Sequence, residues 1–478
     1  MAKWANVTLK AIGRPASYFP GKIAVSICPN FIGMIDKPDK IIAVTGTNGK
    51  TTVCNMLIDA FTSQGYNVLN NKYGSNINAG IATSLITGCT IRGKSKKPEN
   101  PNGSLEKVAI LEIDERSSIK VYSYMEPNMI VVTNIFRDSY KRNPHPEYIV
   151  DLINKKLPKD TKIFLDSDDL RSCTIGEEID HITGTCKSKG NEKIFYGISA
   201  NKDKCKEVKN IIQDEVFCPK CGAKLKYDYK RYHHIGKAHC TKCDFTSPLP
   251  KYEIVEMNEK EIIVKINKNA STKLTEKPSE PKEQNKSYKF KAASNKITHI
   301  YDELVVIAVL AEFGFTIDKI KEMVDKFKIV SSRYKEEKYK DKSIIMQLAK
   351  GQNPIACSRV FEFINEDKGK KVVMLNLDDK FDAKAHDENM AWIYDVDYEF
   401  LNSDDIKQIV VGGVRREDHK LRLLLAGVPE EKIVTVEKEI DGPKLIKDIK
   451  NIDKIYVLYD VYTVDTAKKV KEEIKKMI

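Results

Sequence analysis

Two α/β domains, the first interrupted by a four-cysteine ribbon, form the fold class that three features of this sequence predict. The strand-like run Lys40–Val44 enters a glycine-rich loop and leaves it as an amphipathic helix. Apolar strand candidates then alternate with helix-length segments, from Val108 to Leu165 and again after Arg333. Two Cys-x-x-Cys pairs, Cys218/Cys221 and Cys240/Cys243, lie between the two series.

At 478 residues the chain is too long for one compact core, so more than one domain is expected. Residues 1–39 carry one short helical pattern and a Pro20-Gly21 break, and make up an N-terminal segment. The central domain spans 40–333. In it, Lys40-Ile-Ile-Ala-Val44 reads as a buried strand, and Val53, Met56, Leu57, Ala60 and Phe61 repeat at helical spacing until Gly65. Val108–Ile113, Met129–Val132 and Lys162–Leu165 follow as strands of a parallel sheet, with Arg92–Lys107 a polar loop. Residues 215–247 hold the ribbon, and Tyr252–Ile266 alternates like a strand. Residues 267–291, almost devoid of apolar side chains, read as a flexible insertion. Leu304–Phe313 reads as a buried helix. Residues 334–478 form the second α/β domain, with strands at Ser343–Leu348, Lys371–Leu375, Gln408–Val411, Lys432–Val436 and Lys454–Leu458.

Composition narrows the function classes. No apolar run reaches the roughly 18 residues of a membrane span, and the N-terminus lacks the apolar core of a signal peptide, so a cytosolic protein is expected. The net charge of +12 comes from 80 Lys and Arg against 68 Asp and Glu, interspersed as on a solvated surface. A mildly basic surface suits an anionic nucleotide, or a substrate carried at the inner face of an anionic membrane. There is no basic stripe interleaved with aromatics, which argues against nucleic acid as a partner.

Gly46-Thr47-Asn48-Gly49-Lys50-Thr51-Thr52 is a shortened relative of the phosphate-binding G-x-x-x-x-G-K-[ST] loop. The glycines let backbone N–H groups turn toward a polyphosphate, and the helix that starts near Lys50 adds its positive end. Lys50 would neutralise the β- and γ-phosphates, and the hydroxyl of Thr51 or Thr52 would coordinate Mg²⁺. Mg²⁺ also needs carboxylate oxygen, which Glu112 or Glu115 offers from Leu111-Glu-Ile-Asp-Glu115 at a strand's carboxyl end. Thr133-Asn134 and Arg137-Asp138 close the next strand at the same edge, which adds Asn134 to the candidate nucleotide contacts.

The spacing C-x₂-C-x₁₈-C-x₂-C at Cys218, Cys221, Cys240 and Cys243 suits a tetrahedral Zn²⁺ thiolate site. Four protein ligands leave no open position, so the site is structural. His233, His234 and His239 between the pairs are then surplus and are expected at the surface. The remaining seven of eleven cysteines are scattered, as reduced thiols would be.

The loop Thr45-Gly-Thr-Asn-Gly-Lys-Thr-Thr52 resembles the variant found in Mur ligases and folylpolyglutamate synthases. Within that superfamily the chain resembles the MurT family. The cysteine cluster, Trp392-Ile-Tyr-Asp-Val-Asp-Tyr-Glu399 and Gly413-Val-Arg-Arg-Glu-Asp-His-Lys-Leu-Arg422 carry the likeness. It implies a Mur ligase central ATPase domain, a Rossmann-like C-terminal domain, ATP and Mg²⁺ as cofactors, and a GatD-like glutaminase partner. Such a pair would amidate the α-carboxyl of D-glutamate in lipid II, the wall precursor. By the resemblance Lys50 and Thr51 belong to the ATP/Mg²⁺ loop, Glu112 is the magnesium-binding glutamate, and Arg333 helps bind ATP. Asp387 or Asn389 takes the place of an aspartate thought to complete the partner's Cys-His pair.

The chain departs from the family at several points. It has Ser139-Tyr-Lys-Arg142 where relatives have a Gln-Leu-Asp-Arg-like run, and Asp168-Asp-Leu170 where they have Asp-Asp-Pro. Asn295 and Tyr301-Asp302 stand in for an Asn-x-x-x-Asn pair. No glutaminase nucleophile is evident, and Cys357 reads as a packed thiol. Two alternatives therefore stand beside the amidotransferase subunit: a stand-alone amino-acid ligase, and a nucleotide-binding scaffold without turnover.

Overall fold

The computed structural model describes residues 18–72, 75–90, 106–137, 139–140, 145–180, 183, 185–205, 207–268, 270, 286–327, 334–377 and 390–478. They divide into two compact units, one drawn from 1–136, 145–208 and 214–329, the other from 137–144, 209–213 and 330–478. Among them no helix is long and apolar enough to cross a membrane.

The first unit is built on a nine-stranded sheet. Its strands are β1 (Lys40–Thr45), β2 (Asn67–Asn70), β3 (Lys107–Glu112), β4 (Met129–Val132), β5 (Lys162–Asp166), β8 (Lys193–Ile198), β11 (Tyr252–Met257), β12 (Glu261–Ile266) and β13 (Lys286–Lys291). A small hairpin, β6 (Glu177–Ile179) with β7 (Cys186–Ser188), lies apart from it. The sheet order is β13-β12-β11-β8-β5-β4-β1-β3-β2, parallel from β2 to β11 and antiparallel beyond. Ile41 to Thr45 are all buried, the near-continuous apolar run expected of a parallel strand covered on both faces. The helix Lys50–Ser63 buries Val53, Met56, Leu57, Ala60 and Phe61, the five residues at helical spacing.

Three local readings change. Tyr252–Ile266 is not one strand but a hairpin, because the Asn258 side-chain oxygen accepts the N–H groups of Lys260 and Glu261, both at 2.9 Å, and turns the chain. Lys286–Lys291, inside the expected flexible insertion, forms the edge strand β13 against β12. Lysine-rich edges of this kind resist pairing with a further strand. β8 had no clear signal in alternation, since all six of its residues are buried.

The ribbon strands β9 (Leu225–Tyr232) and β10 (Ile235–Cys240) pair antiparallel. They are not a separate bead. Cys218, Leu225, Ala238, Cys240 and Phe245 share one apolar core with Ile41, Ala43, Leu111 and Val132. The salt bridge from Arg171 to Glu215, 2.6 and 2.9 Å across two contacts, fastens the ribbon's entry. His233 and His234, expected at the surface, are both 0% exposed, because the hairpin turn they form points inward; His239 alone stays accessible.

The second unit holds a six-stranded sheet of β14 (Tyr334–Tyr339), β15 (Lys342–Leu348), β16 (Lys371–Asn376), β17 (Ile406–Gly412), β18 (Ile433–Val436) and β19 (Lys454–Tyr459). The order is β14-β15-β19-β16-β17-β18, parallel except at β14, with an apolar core on each face. The two sequence signatures interlock here. Arg422 donates to the carbonyls of Ile393 (3.2 Å) and Val396 (2.9 Å) and to both oxygens of Glu399 (2.9 Å each). Tyr398 and His419 share a hydrogen bond of 2.5 Å, and the Trp392 ring meets His419 edge-on. Arg137 pairs with Asp395 at 2.7 Å, with Tyr140 on the same oxygen. Cys357 is buried, and burial pushes its thiol well above the ordinary range, as for a packed side chain.

Replacing Arg422 by Ala strands two buried carbonyls, so Arg422→Ala should destabilise the second unit by about 2–3 kcal/mol. Calorimetry of the full chain would show its transition several degrees lower.

Candidate functional site

Sheet register assembles the site. Val44 pairs with Glu112 and Thr45 with Val132, so the carboxyl ends of β1, β3 and β4 bring together 46–52, 112–115 and 133–136. Parallel α/β sheets bind ligands at such strand ends.

Two glycines are obligatory in the loop. Gly46 has φ +115°, and a Cβ there would sit 2.4 Å from Thr133 Oγ1 and 2.8 Å from the Asn134 carbonyl. Gly49 has φ +87° and faces Asp302, whose Oδ1 would be 2.3 Å from an added Cβ. Neighbours hold the loop's shape. Thr47 N donates to Asn134 O at 2.8 Å, Asn48 N to Asn134 Oδ1 at 3.0 Å, and Thr133 Oγ1 to Asn48 O at 2.5 Å.

Lys50 Nζ donates to Glu115 at 2.8 Å, to Thr47 O at 3.3 Å and to Gly46 O. Burial alone would lower its pKa, but Glu115, together with Glu112 and Asp114, outweighs burial and holds the ammonium above its ordinary range. Thr51 Oγ1 lies 2.9 Å from Glu112 Oε2, and the other Glu112 oxygen accepts from Asn76 Nδ2 at 3.1 Å. Asn71 fixes the backbone beneath, accepting from Glu112 N at 2.9 Å and donating to Glu112 O at 2.8 Å. The structure thus brings Thr51 to Glu112 and Lys50 to Glu115, a division of labour that spacing left open. A hydroxyl and a carboxylate side by side are hard oxygen donors, the kind Mg²⁺ takes, with its other positions left to water and phosphate. Asn71 and Asn76 had no local pattern to mark them. Thr133 and Asp302 stood at positions that the sequence singled out, but nothing there assigned them to the loop. Arg333, Asp387, Asn389 and Asp138 lie outside the described residues.

At the ribbon, the sulfurs of Cys218, Cys221, Cys240 and Cys243 all lie within 4.8 Å of one another. Cys218 and Cys243 are 3.7 Å apart, Cys221 and Cys240 3.5 Å. A tetrahedron with metal–sulfur bonds of about 2.3 Å has edges of about 3.8 Å, so the four thiols fit Zn²⁺. The N–H of Lys220 points at Cys218 Sγ (3.4 Å) and that of Lys242 at Cys240 Sγ (3.3 Å). Burial raises the Cys240 thiol, yet backbone N–H groups of Cys243 and Lys242 overcome it and bring the pKa down to about 7, toward the thiolate a metal needs.

Two outcomes test this geometry. Gly49→Ala forces a left-handed alanine against Asp302, so it should cost at least about 1–2 kcal/mol and abolish tight MgATP binding in a calorimetric titration. Cys240→Ser should lower the bound zinc, read by mass spectrometry of the purified chain, to well under one equivalent, while Cys357→Ser leaves it unchanged.

Known proteins agree with this architecture. The MurT ligase C-terminal family matches residues 350–464. The lipid II isoglutaminyl synthase (glutamine-hydrolyzing) subunit MurT of Staphylococcus aureus (strain COL) is 28% identical over 442 residues, covering 92% of this chain and 89% of the relative. The subunit of the same name from Streptococcus pneumoniae (strain ATCC BAA-255 / R6) is 27% identical over 454 residues, 94% of this chain and 90% of that one. Among solved structures, a pseudomurein peptide ligase type C from Methanothermus fervidus superposes with a TM-score of 0.61 at 20% identity, over 93% of this chain and 80% of that chain. The chain is thus similar along its length to proteins named MurT, and it has the fold of the Mur ligases.

Proposed function

We propose that the chain is an ATP-dependent carbon–nitrogen ligase that amidates the α-carboxyl of D-glutamate in lipid II, using ammonia from a GatD-like glutaminase. The observation that carries the reading is the pairing of Thr51 with Glu112 and of Lys50 with Glu115 around the phosphate loop, in a chain similar along its length to relatives named as lipid II isoglutaminyl synthase subunits.

In this reading the substrate carboxylate attacks the γ-phosphorus of ATP, the bond to the β-phosphate oxygen breaks, and ADP leaves. Ammonia then adds to the acyl phosphate carbonyl, phosphate departs, and the nitrogen loses a proton to give the amide. With the N–H groups of Thr47 and Asn48 given to Asn134, those of 49–51 would cradle the β- and γ-phosphates, and Lys50 would leave Gly46 O and Glu115 to follow the charge that develops between them. Thr51 and Glu112 would hold Mg²⁺, which when bound neutralises phosphate oxygens. Asn134 keeps the loop in shape through Thr47 and Asn48. Arg333 is assigned to ATP, and Asp387 or Asn389 to the partner's Cys-His pair. The ribbon would carry Zn²⁺ as a structural clamp. In this reading the lipid-linked substrate would be met at the membrane's inner face, where ATP is available.

Phosphate release from ATP with lipid II decides the matter when ammonium, glutamine plus a GatD-like partner, and free amino acids are supplied separately. Turnover with ammonium, or with glutamine only beside the partner, is expected; turnover only with a free amino acid would establish a peptide ligase instead. Glu112→Gln should lower the ammonium-dependent rate roughly a hundredfold or more, with the fold intact by circular dichroism.

A further inference from the structure

The proposed chemistry uses the phosphate loop and leaves the ribbon's hairpin turn without a role, yet that turn is fully enclosed. His233 and His234 join β9 to β10 and are 0% exposed. His233 adopts φ +46°, a left-handed conformation that histidine tolerates but that surrounding packing has to hold.

The contacts of the turn lead to the loop. His234 Nε2 lies 3.5 Å from Asp169 Oδ1, and the other Asp169 oxygen accepts the Ile135 N–H at 2.7 Å. The Phe136 ring centroid is 4.5 Å from that of His234 and 5.7 Å from that of His233. The run 134–136 is the same one that carries the phosphate loop. Phe136 N donates to Thr47 Oγ1 at 2.9 Å, and Thr47 Oγ1 donates to Phe136 O at 3.1 Å. Asn134 holds Thr47 and Asn48 as described above. Beyond the turn, Gly236 N donates to Asp168 O at 2.8 Å, which sets the hairpin against 166–169. The far end of β10 is Cys240, one of the four clustered thiols.

We infer that the ribbon positions the nucleotide loop: the clamped cysteines hold the β9–β10 hairpin, and His234, through Asp169 and Phe136, keeps 134–136 in the conformation that orders Gly46–Thr51. The inference rests on the nucleotide-binding reading of that loop. Its physical basis is preorganisation, since a loop that wraps polyphosphate with its own N–H groups binds in proportion to the time it spends in that shape. Removing the imidazole opens space beside the Phe136 ring and takes a partner from the buried Asp169. A ribbon that served stability alone would not act selectively at 46–52.

The test uses the full chain. MgATP affinity is measured by calorimetry for the wild type, His234→Ala, His234→Gln and His239→Ala, and hydrogen exchange is followed over 46–52 and the rest of the first unit. If the competent fraction of the loop falls to a tenth, the apparent Kd of His234→Ala rises about tenfold. Exchange at 46–52 then accelerates ahead of its surroundings. His234→Gln, whose amide N–H still reaches toward Asp169, recovers part of the affinity, and His239→Ala on the accessible part of the ribbon binds like the wild type. Stripping the metal from the wild type with a chelator should reproduce the local exchange pattern, which covers an alanine variant that does not fold. Unchanged affinity with unchanged exchange at 46–52 in His234→Ala overturns the inference, as does a stripped wild type whose exchange is native at 46–52 or accelerates evenly across the first unit. A wild type that binds no MgATP refutes the nucleotide reading instead, and the exchange comparison still decides the coupling.

Discussion

Val44 lies beside Glu112, and Thr45 beside Val132, because β1 runs parallel between β3 and β4. Side chains alternate along a strand, so a slip of one residue would turn every one of them to the opposite face. Thr51 meets Glu112 at 2.9 Å and Lys50 meets Glu115 at 2.8 Å only in this register. β1 is buried on both faces, so its register is held by the ladders to β3 and β4 and by close packing of Ile42, Ala43 and Val44 against the covering layers. The phosphate loop thus inherits its geometry from the pairing of the strand before it. Gly46 and Gly49 then let the backbone turn where a Cβ would collide with Thr133 or Asp302.

The ribbon depends on the same sheet. Its core is continuous with that of the first unit, and its polar anchors are the buried ion pair of Arg171 with Glu215 and the buried contact of His234 with Asp169. Buried pairs of this kind add little net stability but penalise any arrangement that leaves one partner alone. They fix where the hairpin sits. A cysteine cluster that looks self-contained in sequence is therefore an integral part of the domain that carries the loop.

In the second unit the two family signatures prove to be one structure. Trp392–Glu399 and Gly413–Arg422 meet through Arg422, Tyr398 and His419, and Asp395 is engaged by Arg137 and Tyr140 from far upstream. In the sequence these segments carry the family likeness. Trp392, Tyr398 and His419 are buried, and what they do in the fold is join a short irregular segment to a helix.

Local chemistry was legible from the sequence alone. Glycine, lysine and threonine spacing marked the loop, period-3.6 apolar residues marked the helix after it, and paired cysteines marked the ribbon, because each signal lies within a few neighbouring residues. Most strands of both sheets could be read for the same reason. Only the tertiary structure decided that Lys50 meets Glu115, that Asn71, Asn76 and Asp302 support the loop, that 286–291 is a strand, and that His233 and His234 are buried. Each of those depends on segments distant in sequence packing together. A polar residue such as His234 reads as exposed until the Asp169 carboxylate is known to lie 3.5 Å from its Nε2.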